Sequence, residues 1–158
     1  MKKILAPTAL LAFFGLLGLV SCKKVDDPLV PRVQSPVLVL IEGAPYQSDF
    51  SSEPTVSQLA AGPVTLSARI LELNKTNLLD YTKGIDSLPV ANLKITVALR
   101  SGTVIGDATT DAKGRITLTK TWAELGVASP RAGSSASLNW TGTYKDVTFT
   151  RLSRVQAR

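Results

Sequence analysis

Val64-Thr65-Leu66-Ser67-Ala68-Arg69-Ile70 and Leu93-Lys94-Ile95-Thr96-Val97-Ala98-Leu99-Arg100 are the two stretches that decide the fold class. In the first, Val64, Leu66, Ala68 and Ile70 share one face while Thr65, Ser67 and Arg69 share the other. In the second, Leu93, Ile95, Val97 and Leu99 alternate with Lys94, Thr96, Ala98 and Arg100. Successive side chains point to opposite faces only in an extended chain, so this period of two marks half-buried strands. Working outward, Ser101-Gly102 turns the chain into a strand over Thr103–Thr110. Asp111-Ala112-Lys113-Gly114 then turns it into another over Arg115–Lys120, with Asp111 capping the turn and Gly114 in the left-handed conformation that a hairpin loop needs. Ser135–Thr141 places Ala136, Leu138 and Trp140 on one face, and Lys145–Arg151 sets Val147 and Phe149 inward against Thr148 and Thr150.

The remaining segments are less regular. Val37–Ile41, an unbroken apolar run between Pro36 and Gly43, reads as a fully buried strand, and Glu42–Gly62, rich in Gly, Pro and Ser, as a long loop or crossover. Leu73–Leu88 is an excursion punctuated by Asn74, Asn77, Asp80, Gly84 and Asp86, from which Leu78, Leu79 and Tyr81 are expected to cover one end of the core. Thr121–Val127, with Trp122 and Leu125 three apart, reads as a single helical turn. About seven short strands separated by turn residues, with no long 3.6-residue period beyond the N-terminal region, predict an all-β protein with an antiparallel β-sandwich over residues 37–158.

The N-terminal region has a different character. Met1-Lys2-Lys3 precedes an apolar run from Ile4 to Val20, followed by Ser21-Cys22-Lys23-Lys24, and a basic start, an apolar middle and a small residue make an export signal. The run is interrupted by Pro7, Gly15 and Gly18, and its seventeen residues are barely long enough to span a membrane. Leu19-Val20-Ser21-Cys22 resembles the lipobox of bacterial lipoproteins. The resemblance implies that residues 1–21 are a signal peptide, cleaved before Cys22, whose thiol receives a diacylglycerol and whose new amino group is acylated. Residues 22–36, with Pro28, Pro31 and Pro36, are then a Pro-rich extended tether. Two or three acyl chains, at about 0.8 kcal/mol per buried methylene, keep such a chain on its membrane. Lys24-Val25-Asp26-Asp27 is similar to the short acidic export tags of some Gram-negative lineages, which implies the outer membrane.

From Val64 to Arg151 the chain resembles a bacterial immunoglobulin-like (Big) domain. The residues that carry the likeness are Val64-Thr65-Leu66-Ser67-Ala68, Leu88-Pro89-Val90-Ala91-Asn92-Leu93, the run Gly106 to Arg115 with its Thr109-Thr110-Asp111-Ala112-Lys113-Gly114 turn, and Ala136-Ser137-Leu138-Asn139-Trp140-Thr141-Gly142. Two features depart from the pattern: the insertion near Asn74–Ser87 and the extra segment Val37–Gly62. The resemblance implies an immunoglobulin-like sandwich acting as a non-catalytic adhesive, spacer or display module, and it transfers no site residues.

Composition narrows the chemistry. The chain of 158 residues has one Cys and no His. It therefore lacks an intrachain disulfide, the commonest general base and most zinc ligation. No serine after Cys22 stands in a Ser-x-x-Lys pattern, and the acidic residues fall singly in turns, so the reading is no enzyme, no cofactor and no metal. Asp107 and Asp111 flank a turn but lack the dense ladder of a calcium loop. The formal charge of +6 is mild once the two signal-peptide lysines are discounted, and an exported protein rarely meets nucleic acid. The expected protein is thus a lipid-anchored cell-envelope protein whose partners are the membrane, through Cys22, and an envelope protein or polysaccharide, with no nucleic acid. The alternative is a glycan-binding lipoprotein whose loop aromatics Tyr46, Phe50, Tyr81 and Tyr144 form the platform.

Overall fold

The alternating stretch Val64–Ile70 lies in the longest strand of the first of two sheets, β3 (Val64–Asn74). The computed structural model describes residues 35–45, 51–77 and 79–158. The expected signal peptide, Cys22, the expected tether as far as Gln34, Tyr46, Phe50 and Leu78 lie outside the described residues. Residues 35–158 form an all-β unit of nine strands in two sheets. In the first sheet β1 (Leu38–Ile41) pairs antiparallel along one edge of β3. The other edge is shared end to end by β7 (Arg115–Lys120), opposite Val64–Arg69, and β4 (Asp86–Pro89), opposite Leu71–Asn74. The second sheet runs β2 (Thr55–Gln58), β9 (Val147–Ala157), β8 (Ser135–Tyr144), β5 (Lys94–Leu99) and β6 (Val104–Thr109). All its pairings are antiparallel except β2 with β9. With β3 and β7 in one layer and β5, β8 and β9 in the other, the strands connect as in an immunoglobulin-like sandwich.

The core sits between the layers and is built from the faces the alternation predicts. Val64, Leu66, Ala68 and Ile70 from β3 meet Ile95 and Val97 from β5, Leu138 and Trp140 from β8, and Phe149 and Val155 from β9. Trp140 is fully buried, and its indole Nε1 donates to Ser153 Oγ at 2.8 Å, so the largest side chain in the core leaves no orphaned donor. Gly142 keeps room for this packing, because a Cβ there would lie 2.7 Å from Ile95 Cδ1 and 2.9 Å from Phe149 Cζ.

Four expectations change. Leu38–Ile41 is an edge strand that buries Val39 and Ile41 while Leu38 and Leu40 stay half-exposed, because only one of its faces meets the core. The long loop contains β2, whose Val56 is buried and whose backbone pairs with the last turn-free stretch of β9. The Leu73–Leu88 excursion ends in β4, which raises the strand number from seven to nine together with β2. The Asp111–Gly114 turn is no hairpin: β6 and β7 belong to different sheets, and the turn carries the chain between layers. Its local chemistry is as expected, with Asp111 Oδ1 accepting from the Lys113 and Arg115 amides at 2.8 Å and Gly114 at φ 70°. Thr110, buried, ties this crossover to the β4–β5 connection by donating to the Val90 carbonyl at 2.7 Å and accepting from the Leu93 amide at 2.8 Å. Thr121–Val127 is a turn closed by reciprocal bonds between Thr121 and Glu124, which act as a capping box beneath buried Trp122 and Leu125.

Gly114 occupies the point where β3 changes partner from β7 to β4. The Ile70 amide donates to the Gly114 carbonyl at 2.8 Å, the Val90 amide donates to the Ile70 carbonyl at 3.1 Å, and a Cβ on residue 114 would lie 2.4 Å from that same Ile70 carbonyl oxygen. Gly133, at φ 92°, has nothing within 4 Å of its Cβ position. Gly133→Ala is therefore expected to cost only backbone strain, about 1–2 kcal/mol, whereas Gly114→Ala adds a backbone collision and should cost clearly more in urea unfolding. Equal losses for the two variants would refute the junction. Leu66→Ala, at a buried core position, should cost about 2–5 kcal/mol in the same assay.

Candidate functional site

The described residues that carry candidate function gather at one end of the sandwich, where β3 ends, β4 begins and β8 turns into β9. The Lys145-Asp146 turn joins β8 to β9 with both residues in the left-handed region, at φ 50° and 62°. This is the two-residue turn whose twist matches a hairpin, made here without glycine. Lys145 gains a compensating contact: its ammonium bonds to Glu72 Oε1, while the neighbouring Tyr144 hydroxyl donates to Glu72 Oε2 at 2.7 Å. Glu72 belongs to β3 in one sheet and Tyr144 and Lys145 to the hairpin of the other, so the cluster straps the layers together at this end. The hydrogen bonds from Lys145 and Tyr144 hold the Glu72 carboxyl below its ordinary range. The bond to Glu72 raises both the Tyr144 phenol and the Lys145 ammonium.

Beyond Glu72 the chain runs out into an arm. Asn74 faces Asp86 at its base, and the described residues 75–77 and 79–85 form turns and irregular backbone. Asn74 Oδ1 accepts from the Thr76 amide at 3.1 Å and hydroxyl at 2.6 Å, and Asp80 Oδ1 accepts from the Thr82 amide at 3.1 Å and hydroxyl at 2.5 Å. These are Asx turns, the local structure that Asn and Asp favour. These bonds are made within the arm, and its apolar side chains are exposed. Leu79 is 99% exposed and Tyr81 96% exposed. The expectation that these residues cover an end of the core is thus overturned: the turns hold the loop outward, and Val90, Leu93 and Tyr144 pack against the core there instead.

Of the four aromatic residues singled out for glycan binding, Tyr46 and Phe50 lie outside the described residues. The other two share an end of the molecule but not a platform. At 96% exposure the Tyr81 ring is stacked on nothing, while Tyr144 packs against the core with its hydroxyl engaged by Glu72 and the Lys145 ammonium 5.2 Å from its ring centroid. Glu72 carries the strap and escaped the sequence reading, because nothing in a single strand says that its carboxylate meets a hairpin more than seventy residues on. The signal for Leu79 was present: the pair Leu78-Leu79 stands between Asn77 and Asp80, turn formers that favour an outward loop.

The other carboxylates serve as struts. Partial burial pushes Glu42 up, but the Ser67 hydroxyl and the Arg115 and Arg69 guanidiniums outweigh it, and the carboxyl lies below its ordinary range. Asp107 accepts from Thr96 Oγ1 at 2.7 Å and pairs with Lys94 at 2.8 Å, and Asp111 caps its turn. Glu53 pairs with Arg154 at 2.9 Å and Arg100 at 3.3 Å. Among the described residues no three of His, Cys, Asp and Glu come together as a metal site. Compared with protein-family models and with curated proteins, the chain matches none.

The strap has a testable pH signature. Because folding holds Glu72 below its ordinary range, its contribution to stability is complete above that range and is lost as pH falls through the lowered value. Lys145 is held above its ordinary value, so its share is complete below that value and is lost on the alkaline side. Glu72→Gln should lower the thermal midpoint at neutral pH, and the variant and parent curves should converge as pH falls into the acid limb. A constant offset across that limb would exclude the ionic part of the strap.

Proposed function

We propose that the chain is a bacterial lipoprotein acylated at Cys22, held in the cell envelope at the outer membrane by the tether 22–36, and carrying a non-catalytic module of the bacterial immunoglobulin-like kind that acts in structure, display or adhesion. The observation that carries the reading is the order of parts along one chain. A lipobox-like Leu19-Val20-Ser21-Cys22 precedes a Pro-containing stretch, and a sandwich begins at Ser35. A lipid anchor followed by a spacer and a stable sandwich is what a displayed module requires, and it asks for no reactive group.

The surface chemistry supports the non-catalytic part. Catalysis needs converging groups whose protonation is poised for transfer. Here the carboxylates whose ionisation is shifted, Glu42, Glu72, Asp80, Asp107, Asp111 and Glu124, are all held toward the charged form by bonds to neighbours that serve turns and strand pairing. The outward face of the second sheet is a hydroxyl surface, in which Thr141 faces Thr150 and Thr143 faces Thr148 with their oxygens 3.2 and 3.1 Å apart. Such cross-strand pairs stabilise a sheet and keep its face wetted.

Fractionation after growth with a fatty-acid analogue tests the proposal. The parent chain should carry the label and sediment with membranes, and Cys22→Ala should lose the label and either remain as uncleaved precursor or appear in the soluble fraction. A labelled, membrane-held Cys22→Ala protein would overturn the anchor.

A further inference from the structure

We infer that the β3–β4 arm docks on the membrane that carries the chain's own lipid anchor, seating Leu79 and Tyr81 at the boundary between headgroups and acyl chains; this rests on the lipoprotein reading above. Exposed apolar residues scattered singly are ordinary on any protein. On this arm they are grouped: Leu79 and Tyr81 at the tip are almost wholly exposed, and Ile85 and Leu88 below them are 46% and 47% exposed. Among the described residues no part of the sandwich covers them.

Three features favour a lipid surface as the occupant. The first is that the tip bonds several of its polar groups within itself. Besides the Asn74 and Asp80 side-chain caps, the Asp80 amide donates to the Asn77 carbonyl at 2.9 Å and the Lys83 amide to the Asp80 carbonyl at 3.1 Å. Backbone groups bonded within the loop lose little on leaving bulk water, which is the condition for entering an interface. The second is charge. Asp80, between Leu79 and Tyr81, is paired with Lys83 at 3.3 Å, and across the arm Lys75 and Lys83 balance Asp80 and Asp86, so a zwitterionic headgroup layer meets no net repulsion. Tyrosine and leucine together suit that layer, one ring wetted at its hydroxyl and one side chain wholly apolar.

The third feature is where the chain enters the sandwich. β1 runs antiparallel to β3 with Leu38 opposite Leu71, which puts Ser35 beside the end of β3 from which the arm projects. As polyproline II, residues 23–34 would span about 37 Å. A sandwich held at Cys22 through that end presents the arm to the membrane at high effective concentration, so two apolar side chains suffice for contact where they would not recruit a free protein.

The test uses the full acylated chain in phosphatidylcholine proteoliposomes. Acylation consumes the Cys22 thiol, so Leu79→Cys accepts an environment-sensitive fluorophore at one site, and its near-complete exposure leaves the fold undisturbed. Ser101→Cys, in the β5–β6 turn at the opposite end, is the reference. The Leu79 probe should show blue-shifted emission and be quenched several-fold more strongly by brominated phospholipid than the Ser101 probe, and Tyr81→Ser should reduce that difference. Flotation of the protein with the vesicles while both probes behave as in water would overturn docking and leave the anchor standing. Failure to float would overturn the lipoprotein reading and this inference with it.

Discussion

One backbone junction organises the first sheet. Every strand of that layer is hydrogen-bonded to β3, and two of them, β7 and β4, must share one of its edges without a gap. At Ile70 the ladder passes from one to the other: its amide is taken by Gly114 and its carbonyl by the amide of Val90. The approach is so close that residue 114 has no space for a Cβ, and its φ of 70° disfavours ordinary side chains as well. Sterics and backbone conformation thus select the same residue. The crossover between layers, the position of β4 and the base of the exposed arm all follow from that contact.

The second sheet is continuous, with β8 and β9 forming a long hairpin at its centre. Its inner face is apolar, and its one buried polar pair, Trp140 with Ser153, is satisfied. Ion pairs and capped turns lie around this core rather than within it. Glu42 joins the end of β1 to β3 and β7, Glu53 reaches Arg154 and Arg100, and Glu72 joins β3 to the β8–β9 hairpin. Each contact is partly exposed and individually modest in a high dielectric. Their value is positional, since they fix edges and ends that the apolar core does not constrain.

The two ends of the sandwich are consequently unlike. One carries Ser35 and the start of β1, the strap at Glu72 and the arm with Leu79 and Tyr81; the other carries the Ser101-Gly102 turn, the capped Thr121–Val127 turn and Arg158. The polar struts and capped turns thus lie at the sheet edges and ends, and the most exposed apolar side chains, Leu79 and Tyr81, project at one end only.

The sequence by itself determined the all-β class, the inward faces of β3, β5 and β8 and the Asp111–Gly114 turn chemistry, because period-two burial and turn capping are properties of neighbouring residues. It did not determine β2, whose four residues Thr55–Gln58 are specified by a parallel ladder to Arg154–Ala157. Nor did it determine that β6 and β7 part into different sheets, since the same turn residues serve a hairpin and a crossover and only pairing with β3 decides between them. The outward course of the arm and the meeting of Glu72 with Tyr144 and Lys145 were likewise decided in three dimensions. Contacts between residues far apart in the chain leave no local period, and strand partners are chosen by the packing of layers against one another.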